Sequence, residues 1–243
     1  MYKEFVGEKF VDRNGLIVQL DGDGGDTCQR IAFIEIALIE LTYFDSARYS
    51  IALDLLEPET GRLWRNPYPP HMWWADRYNQ SRDQTLGHYI VMSEYGFKGR
   101  LKKHTWSILS RLGFFWNYRH IGEQTGWKIP DILFPQHYGV LIRANEWSLL
   151  YPVLLLTDLG LLLSVVFRVI GSHLDHDSVD DLNLCELHWQ ARRKASTPIS
   201  WLARKFHKLR YRGLSWAFHH YFRAETKAPT RLAELWDNIL DGF

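Results

Sequence analysis

Residues Ser148–Ile170 read SLLYPVLLLTDLGLLLSVVFRVI, and this stretch separates two kinds of architecture. As one continuous helix, rising about 1.5 Å per residue, it is long enough to span a bilayer. Asp158 at its centre, with Pro152 and Gly160 inside it, opposes spanning. A carboxylate at mid-bilayer costs roughly 2.5–3.5 kcal/mol, which the many leucines offset, so the segment alone leaves the question open. The rest of the chain weighs more: mean hydropathy is −0.27, and amphipathic helical patterns recur throughout. The segment therefore reads as a buried central helix. Asp158 is then either solvated in a cleft or hydrogen-bonded in the core, because an unpaired buried carboxylate is costly.

Upstream, residues 5–20 read as extended, with Gly15–Leu20 as a short strand, followed by the loop Asp21-Gly22-Asp23-Gly24-Gly25-Asp26. A helix is expected from Thr27 to about Phe44, apolar all round except for Glu35 and Glu40, a pattern of burial on most sides. Further helices are expected at Ser46–Leu56, Asp83–Tyr95 and Arg100–Leu112, with Gly96 as the stop after the second of these. Residues 57–80 and 114–144 read as irregular and aromatic. Downstream helices are expected near 145–170, 178–193, 198–210 and 229–240, with a shorter one at 214–223. Thr197-Pro198 gives a cap residue followed by proline at the first helical position. No repeat of fixed period, linker or low-complexity tract is seen, so residues 1–243 form a single, mainly α domain with a short N-terminal β element.

Composition narrows the function classes. Lys and Arg number 29 against 28 Asp and Glu, so a net charge of +1 gives no electrostatic case for a general nucleic-acid binder. Two cysteines, Cys28 and Cys185, exclude a disulfide scaffold or a cysteine-based zinc site. The acidic, polar N-terminus has no apolar leader pattern, which predicts a cytoplasmic location. Aromatic residues are abundant, with 11 Trp, 12 Tyr and 13 Phe, and such rings suit flat amphipathic ligands as well as cores.

Two helix starts share a pattern. Asp26-Thr27-Cys28-Gln29 and Ser81-Arg82-Asp83-Gln84 each place a cap residue three positions before Gln, the spacing of a capping box. Capping explains that spacing by itself, with Asp26 and Ser81 accepting backbone N–H groups. It does not explain Gly22, Gly24 and Gly25, which let backbone turn sharply or lie against a ligand. Nor does it explain the aromatic run Trp73-Trp74-Ala75-Asp76-Arg77-Tyr78 before the second start. Acids at two helix starts, with Trp and Tyr nearby, suit sugar recognition: rings stack on sugar faces, amides and carboxylates bind hydroxyls, and two carboxyls divide acid and base roles.

With these loops at 21–30 and 70–84, the chain resembles the α/α-toroid carbohydrate-active enzymes, the glycoside hydrolases and polysaccharide lyases. The resemblance covers about a third of the chain and implies an irregular or incomplete toroid-like helical array acting on a carbohydrate. In the hydrolase version Asp26 and Asp83 are the catalytic pair. In the lyase version His137 or Tyr138 removes a proton beside a uronic carboxylate, which Arg or Gln neutralises. Asp23, Gln29, Arg30, Trp73, Trp74, Tyr78, Arg82, Gln84, Arg119 and His120 are the candidate substrate-binding residues. No cofactor is required.

Other constellations carry competing readings. Asp21–Asp26 is no EF-hand, since the twelfth position from Asp21 is Ala32, but an irregular divalent-cation site stays open. His176-Asp177, beside His173, Asp175, Asp180 and Asp181, resembles the dyad of the HD phosphohydrolases and implies a metal-dependent alternative; capping and macrodipole roles for these acids fit equally. From Arg192 to Arg212 the chain is basic, and no acid interrupts residues 187–223. With the apolar 145–170 segment, that basic face supports a third reading, a non-enzymatic binding or assembly protein. Oligomeric state is not encoded in any of these patterns.

Overall fold

The computed structural model describes residues 1–8, 11–17, 27–40, 42–57, 61–67, 82–110, 115–116, 131–132, 135–171 and 197–203. These residues are mainly helical. The elements are α1 (Lys3–Val6), α2 (Thr27–Glu40), α3 (Ser46–Leu56), α4 (Arg82–Glu94) and α5 (Lys98–Leu109), then α6 (Pro135–Ala144), a 3-10 segment (Ser148–Val153) and α7 (Leu154–Gly171). A last helix, α8, covers 198–203. Between α5 and α6, β1 (Phe115–Trp116) pairs antiparallel with β2 (Asp131–Ile132), Phe115 opposite Ile132.

The helices form hairpins with a recurring plan. Connections of five residues (41–45) and three residues (95–97 and 145–147) turn α2 into α3, α4 into α5, and α6 toward α7. Connections of 25 residues (57–81 and 110–134) lead from α3 to α4 and from α5 to α6. The first helices of successive hairpins pack on one another, α2 on α4 and α4 on α6, while α6 also packs on α7. Their C-terminal ends lie together: Tyr95, just past α4, hydrogen-bonds Glu35 late in α2, and Ser93 in α4 donates to the Ala144 carbonyl at the end of α6.

All three of these helices stop in the same way. After α4, the Phe97 amide donates to the Met92 carbonyl and Gly96 to Ser93, with Gly96 at φ 79°. This is a Schellman motif with glycine in the left-handed position. After α2 the equivalent bonds are Tyr43 to Leu38 and Thr42 to Ile39, with Thr42 at φ 63°; after α6 they are Trp147 to Ile142 and Glu146 to Arg143, with Glu146 at φ 56°. The expected stop at Gly96 is where the sequence places it. The other two are stops without glycine, which is why the first helix was expected to run on to Phe44.

Close approach sets the level at which the hairpins dock. A methyl group at Gly87 would lie 2.8 Å from the Ala32 side chain, so α4 and α2 cross on a glycine–alanine contact. At Gly139 it would lie 2.8 Å from Thr157 Oγ1, and there α6 meets α7. Ile31, Ile34 and Ile36 of α2, Leu53 and Leu56 of α3, Leu86 and Val91 of α4, and Val140 of α6 fill one continuous core.

Three expectations change. Phe5 and Val6, expected to be extended, belong to α1, and of the expected strand Gly15–Leu20 the described residues 15–17 end a turn closed by one antiparallel bridge between Val11 and Ile17. Asp12 holds that turn by accepting from the Asn14 and Leu16 amides; residues 18–20 lie outside the described set. The stretch 114–144, expected to be irregular, contains a helix: Pro135 is the first residue of α6, the position where its missing N–H costs nothing. The helix expected at 145–170 is instead a turn, a 3-10 segment containing Pro152, and α7. Among the described residues no helix is long and apolar enough to cross a membrane. The helices expected at 178–193, 214–223 and 229–240 lie outside the described residues.

Asp158 is hydrogen-bonded in the core. Both guanidinium nitrogens of Arg143 meet it, Nη1 to Oδ1 at 2.8 Å and Nη2 to Oδ2 at 2.6 Å, and Thr197 Oγ1 donates to Oδ2 at 2.6 Å. The pair ties α6, α7 and the start of α8 together. Removing one partner strands the other charge, whereas replacing both with apolar groups is nearly neutral.

Two predictions follow from this geometry. Thr42→Gly removes a β-branched residue from the left-handed region and raises stability by about 1 kcal/mol, while Gly96→Ala lowers it by about as much; urea denaturation of the two variants gives shifts of opposite sign. Asp158→Ala costs about 3–5 kcal/mol, and an Arg143→Met, Asp158→Leu double variant recovers most of that loss in the same measurement.

Candidate functional site

The long connections and the starts of α2, α4 and α6 lie at the end of the hairpins away from the tight turns. Helix starts expose unpaired N–H groups, so they gather polar partners or ligands. At α2 one such group is satisfied by main chain: the Cys28 amide donates to the Arg65 carbonyl at 2.9 Å. Residues 61–67 therefore pass over the start of α2, where Leu63 and Asn66 are buried. A loop carbonyl from the 57–81 connection thus meets an N–H at the start of α2, while Asp26, the expected cap, lies outside the described residues.

Thr27, Gln29 and Arg30 in the first turn of α2 are all buried, as are Thr85 and His88 of α4 and His137 of α6. Five of these buried polar side chains fall in the first turns of three neighbouring helices, and His88 lies one turn further into α4. Arg82, Asp83 and Gln84 form the first turn of α4. Cys28, which the sequence marks as a small packed residue, is buried in the core.

The candidates are thus partly brought together. Gln29 and Arg30 of α2, Arg82, Asp83 and Gln84 of α4, and His137 and Tyr138 of α6 all fall at the starts of their helices. The register of the first two starts is matched: Gln29 precedes Ala32 by three residues and Gln84 precedes Gly87 by three, and Ala32 and Gly87 are the residues in close contact. Gln136 precedes Gly139 by the same spacing in α6. Asp23, Asp26, Trp73, Trp74, Tyr78, Arg119 and His120 lie outside the described residues, as do the Asp21–Asp26 loop and the His173–Asp181 cluster. Among the described residues, no group of three or more His, Cys, Asp or Glu side chains is placed to hold a metal ion.

Two of the catalytic candidates have distinct surroundings. His137 is fully buried, and Tyr138 is partly exposed. Burial pushes the Tyr138 hydroxyl pKa above its ordinary value. A phenol so shifted stays protonated at neutral pH and is a weaker acid than an ordinary tyrosine.

Sequence reasoning missed His88. Its Nε2 lies 2.7 Å from the Cys28 carbonyl and its Nδ1 2.8 Å from the Tyr49 hydroxyl. A carbonyl only accepts, so Nε2 carries the proton and Nδ1 accepts from Tyr49, which stacks on the imidazole at 5.9 Å. This neutral tautomer links α2, α3 and α4. Burial depresses the His88 pKa from 6.5 to about 4. A second missed group is Glu57, at the end of α3. Its Oε1 accepts from the Gly61 amide and lies 3.2 Å from His104 Nε2, with Arg100 also close. Burial would raise the Glu57 pKa, but His104, the Gly61 amide and Arg100 together hold it below the ordinary carboxylate value. Glu57 thereby fixes where the first long connection leaves its helix.

No protein-family model, characterised protein or solved structure matches this chain.

His88 makes stability pH-dependent in a defined window. The unfolded chain takes up a proton near pH 6.5 and the folded one only near 4, so this contribution is complete above pH 6.5 and lost as pH falls toward 4. The loss is on the order of 3 kcal/mol. His88→Gln keeps a donor for Cys28 and an acceptor for Tyr49 without the titration. Urea midpoints at pH 7, 5.5 and 4.5 are expected to fall more steeply for the wild type than for this variant; equal slopes contradict the neutral buried imidazole.

Proposed function

We propose that this chain is a glycan-active enzyme, a hydrolase or lyase, whose site lies where α2, α4 and α6 begin. The observation that carries the reading is the repeated hairpin plan: three helices that pack in succession, tight Schellman turns at one end and 25-residue connections at the other. An α/α toroid has this organisation, with its inner helices starting on the side of the long loops. An incomplete toroid with three hairpins described is the arrangement we infer. The first turns of the three helices then fall on the same side, and the aromatic residues 73–78 precede one of them in sequence.

Hydrolysis assigns the reacting carboxyls to Asp26 and Asp83, one protonating the glycosidic oxygen while the other acts as base toward water or as nucleophile. Gln29, Arg30, Arg82 and Gln84 would bind hydroxyl or carboxylate groups, with Asp23, Arg119 and His120 contributing from the loops. Trp73, Trp74 and Tyr78 would stack on sugar rings. In β-elimination, a base removes the proton beside the uronic carboxylate, the C–O bond to the leaving sugar breaks, and a carbon–carbon double bond forms. His137 or Tyr138 would take that proton, with Arg or Gln neutralising the carboxylate. Neither route calls for a cofactor.

The test is turnover on a broad glycan panel that includes anionic polysaccharides, reading new reducing ends and the ultraviolet absorbance of unsaturated products together. Reducing ends alone assign hydrolysis; both signals assign elimination. Asp26→Asn and Asp83→Asn are expected to lower hydrolysis by at least roughly a hundredfold, the scale of a lost acid or base, with unchanged urea midpoints. A variant that loses activity only because it unfolds marks a capping aspartate, and full activity in both removes the pair from the mechanism.

A further inference from the structure

The helix α7 is amphipathic in the inverse sense. Its inward positions, Leu154, Thr157, Asp158 and Leu161, include two polar residues, and all four are buried. Its outward positions, Leu155, Leu156, Leu159 and Leu163, are all leucine and all exposed. The 3-10 segment before it extends this face with Leu149, which is 93% exposed. Asp158 is the one charged residue between Trp147 and Phe167, and Arg143 neutralises it in the interior. The outer surface of this stretch therefore carries no charge. An uninterrupted leucine face of this kind is not left in water without cost.

Helix α8 continues the face. Thr197 bonds Asp158 and Ala203 packs on Leu161, which fixes α8 against α7. Trp201, 53% exposed, and Leu202 stand out from it. Arg204 and Lys205 follow α8 directly, and Lys194 precedes Thr197 by three residues, so chain connectivity alone keeps these cations within about 12 Å of α8. They belong to a segment, residues 187–224, that holds nine Lys and Arg and no acid; the rest of the chain, whose overall charge is +1, is net −8. Charge is thus segregated along the sequence toward the residues that flank α8, although the total is nearly zero.

We propose that the α7–α8 face binds the surface of an anionic lipid bilayer, with the helices lying in the interface. Uncharged leucines enter the acyl boundary, Trp201 sits at headgroup level, and the adjoining cations meet lipid phosphates. The charge pattern favours this occupant over a second copy of the chain, because a self-associating face would bring two such basic segments together. The proposal is independent of the glycan reading.

Flotation of the intact protein with phosphatidylcholine vesicles, and with vesicles containing 30% phosphatidylglycerol (roughly the anionic fraction at which basic segments respond), tests it. The wild type is expected to float with the anionic vesicles, to float less with the neutral ones, and to be released by salt. Leu149→Glu with Leu156→Glu changes two exposed side chains, so the fold should survive with an unchanged urea midpoint, and vesicle binding should fall roughly tenfold or more. Arg204→Ala with Lys205→Ala should weaken binding and its salt dependence. Failure to bind anionic vesicles, or binding that the leucine variant does not reduce, overturns the proposal. So does a concentration-dependent dimer, seen by light scattering, that the leucine variant abolishes, because a second copy would then cover the face.

Discussion

The buried carboxylate of Glu35 is the junction on which the helical packing depends. Arg48 meets it with two hydrogen bonds, Nε to Oε1 at 2.9 Å and Nη2 to Oε2 at 3.0 Å, while Tyr2 and Tyr95 donate to the two oxygens at 2.7 Å. Four hydrogen bonds from three places in the chain thus converge on one side chain of α2. Burial, and then the carboxylate itself, pushes the Tyr2 hydroxyl pKa well above its ordinary value, so it stays a donor. Burial works against the charge on Arg48, but the bonds and charge of Glu35 outweigh it, and its pKa rises. The guanidinium also lies over the Phe5 ring at 5.3 Å. A charge pair of this kind adds little net stability over apolar packing, yet it tolerates one arrangement only, because any shift leaves a buried charge unmet.

Arg143 and Asp158 repeat that device with the signs exchanged. In α2 the acid lies on the first helix of its hairpin and the base on the second; between α6 and α7 the base comes first. Both pairs lie across a hairpin, toward its tightly turned end, and both are bidentate. The hairpins are therefore locked at one end by ion pairs and Schellman turns. At the other end they are joined through long connections and polar first turns. That asymmetry is what a site for a ligand requires: a rigid base, and a rim whose sequence is not consumed by holding the helices together.

The two surfaces raised as functional have different physical origins. The rim of helix starts is polar because backbone N–H groups there lack helical partners. The α7–α8 face is apolar because Asp158 and Thr157 turn inward to satisfy Arg143 and to meet Gly139, which leaves the leucines of α7 no inward place. The second follows from the ion pair: a helix that buries its only carboxylate must present its opposite face outward.

Much of the helical content was legible in the sequence, since α3 and α4 match apolar periodicity and a glycine stop closely. The helix starts at Thr27 and Arg82 were legible from their cap spacing, and Gln29 and Gln84 each stand three residues before the Ala32–Gly87 contact. The stops at Thr42 and Glu146 were not legible, because a residue forced into the left-handed region by tertiary packing carries no mark of it. Nor was α6, whose Pro135 looks the same whether it ends a loop or begins a helix. By itself the sequence determined that the chain is mainly helical and that Asp158, the one acid in its apolar run, needs either water or a hydrogen-bond partner. Only the tertiary structure decided that Arg143 meets Asp158 and Arg48 meets Glu35, that His88 is a neutral link among three helices, and that the leucines of α7 face outward. Local pattern sets which residues must be satisfied, but the identity of the partner depends on which distant segments the packing brings within hydrogen-bond distance.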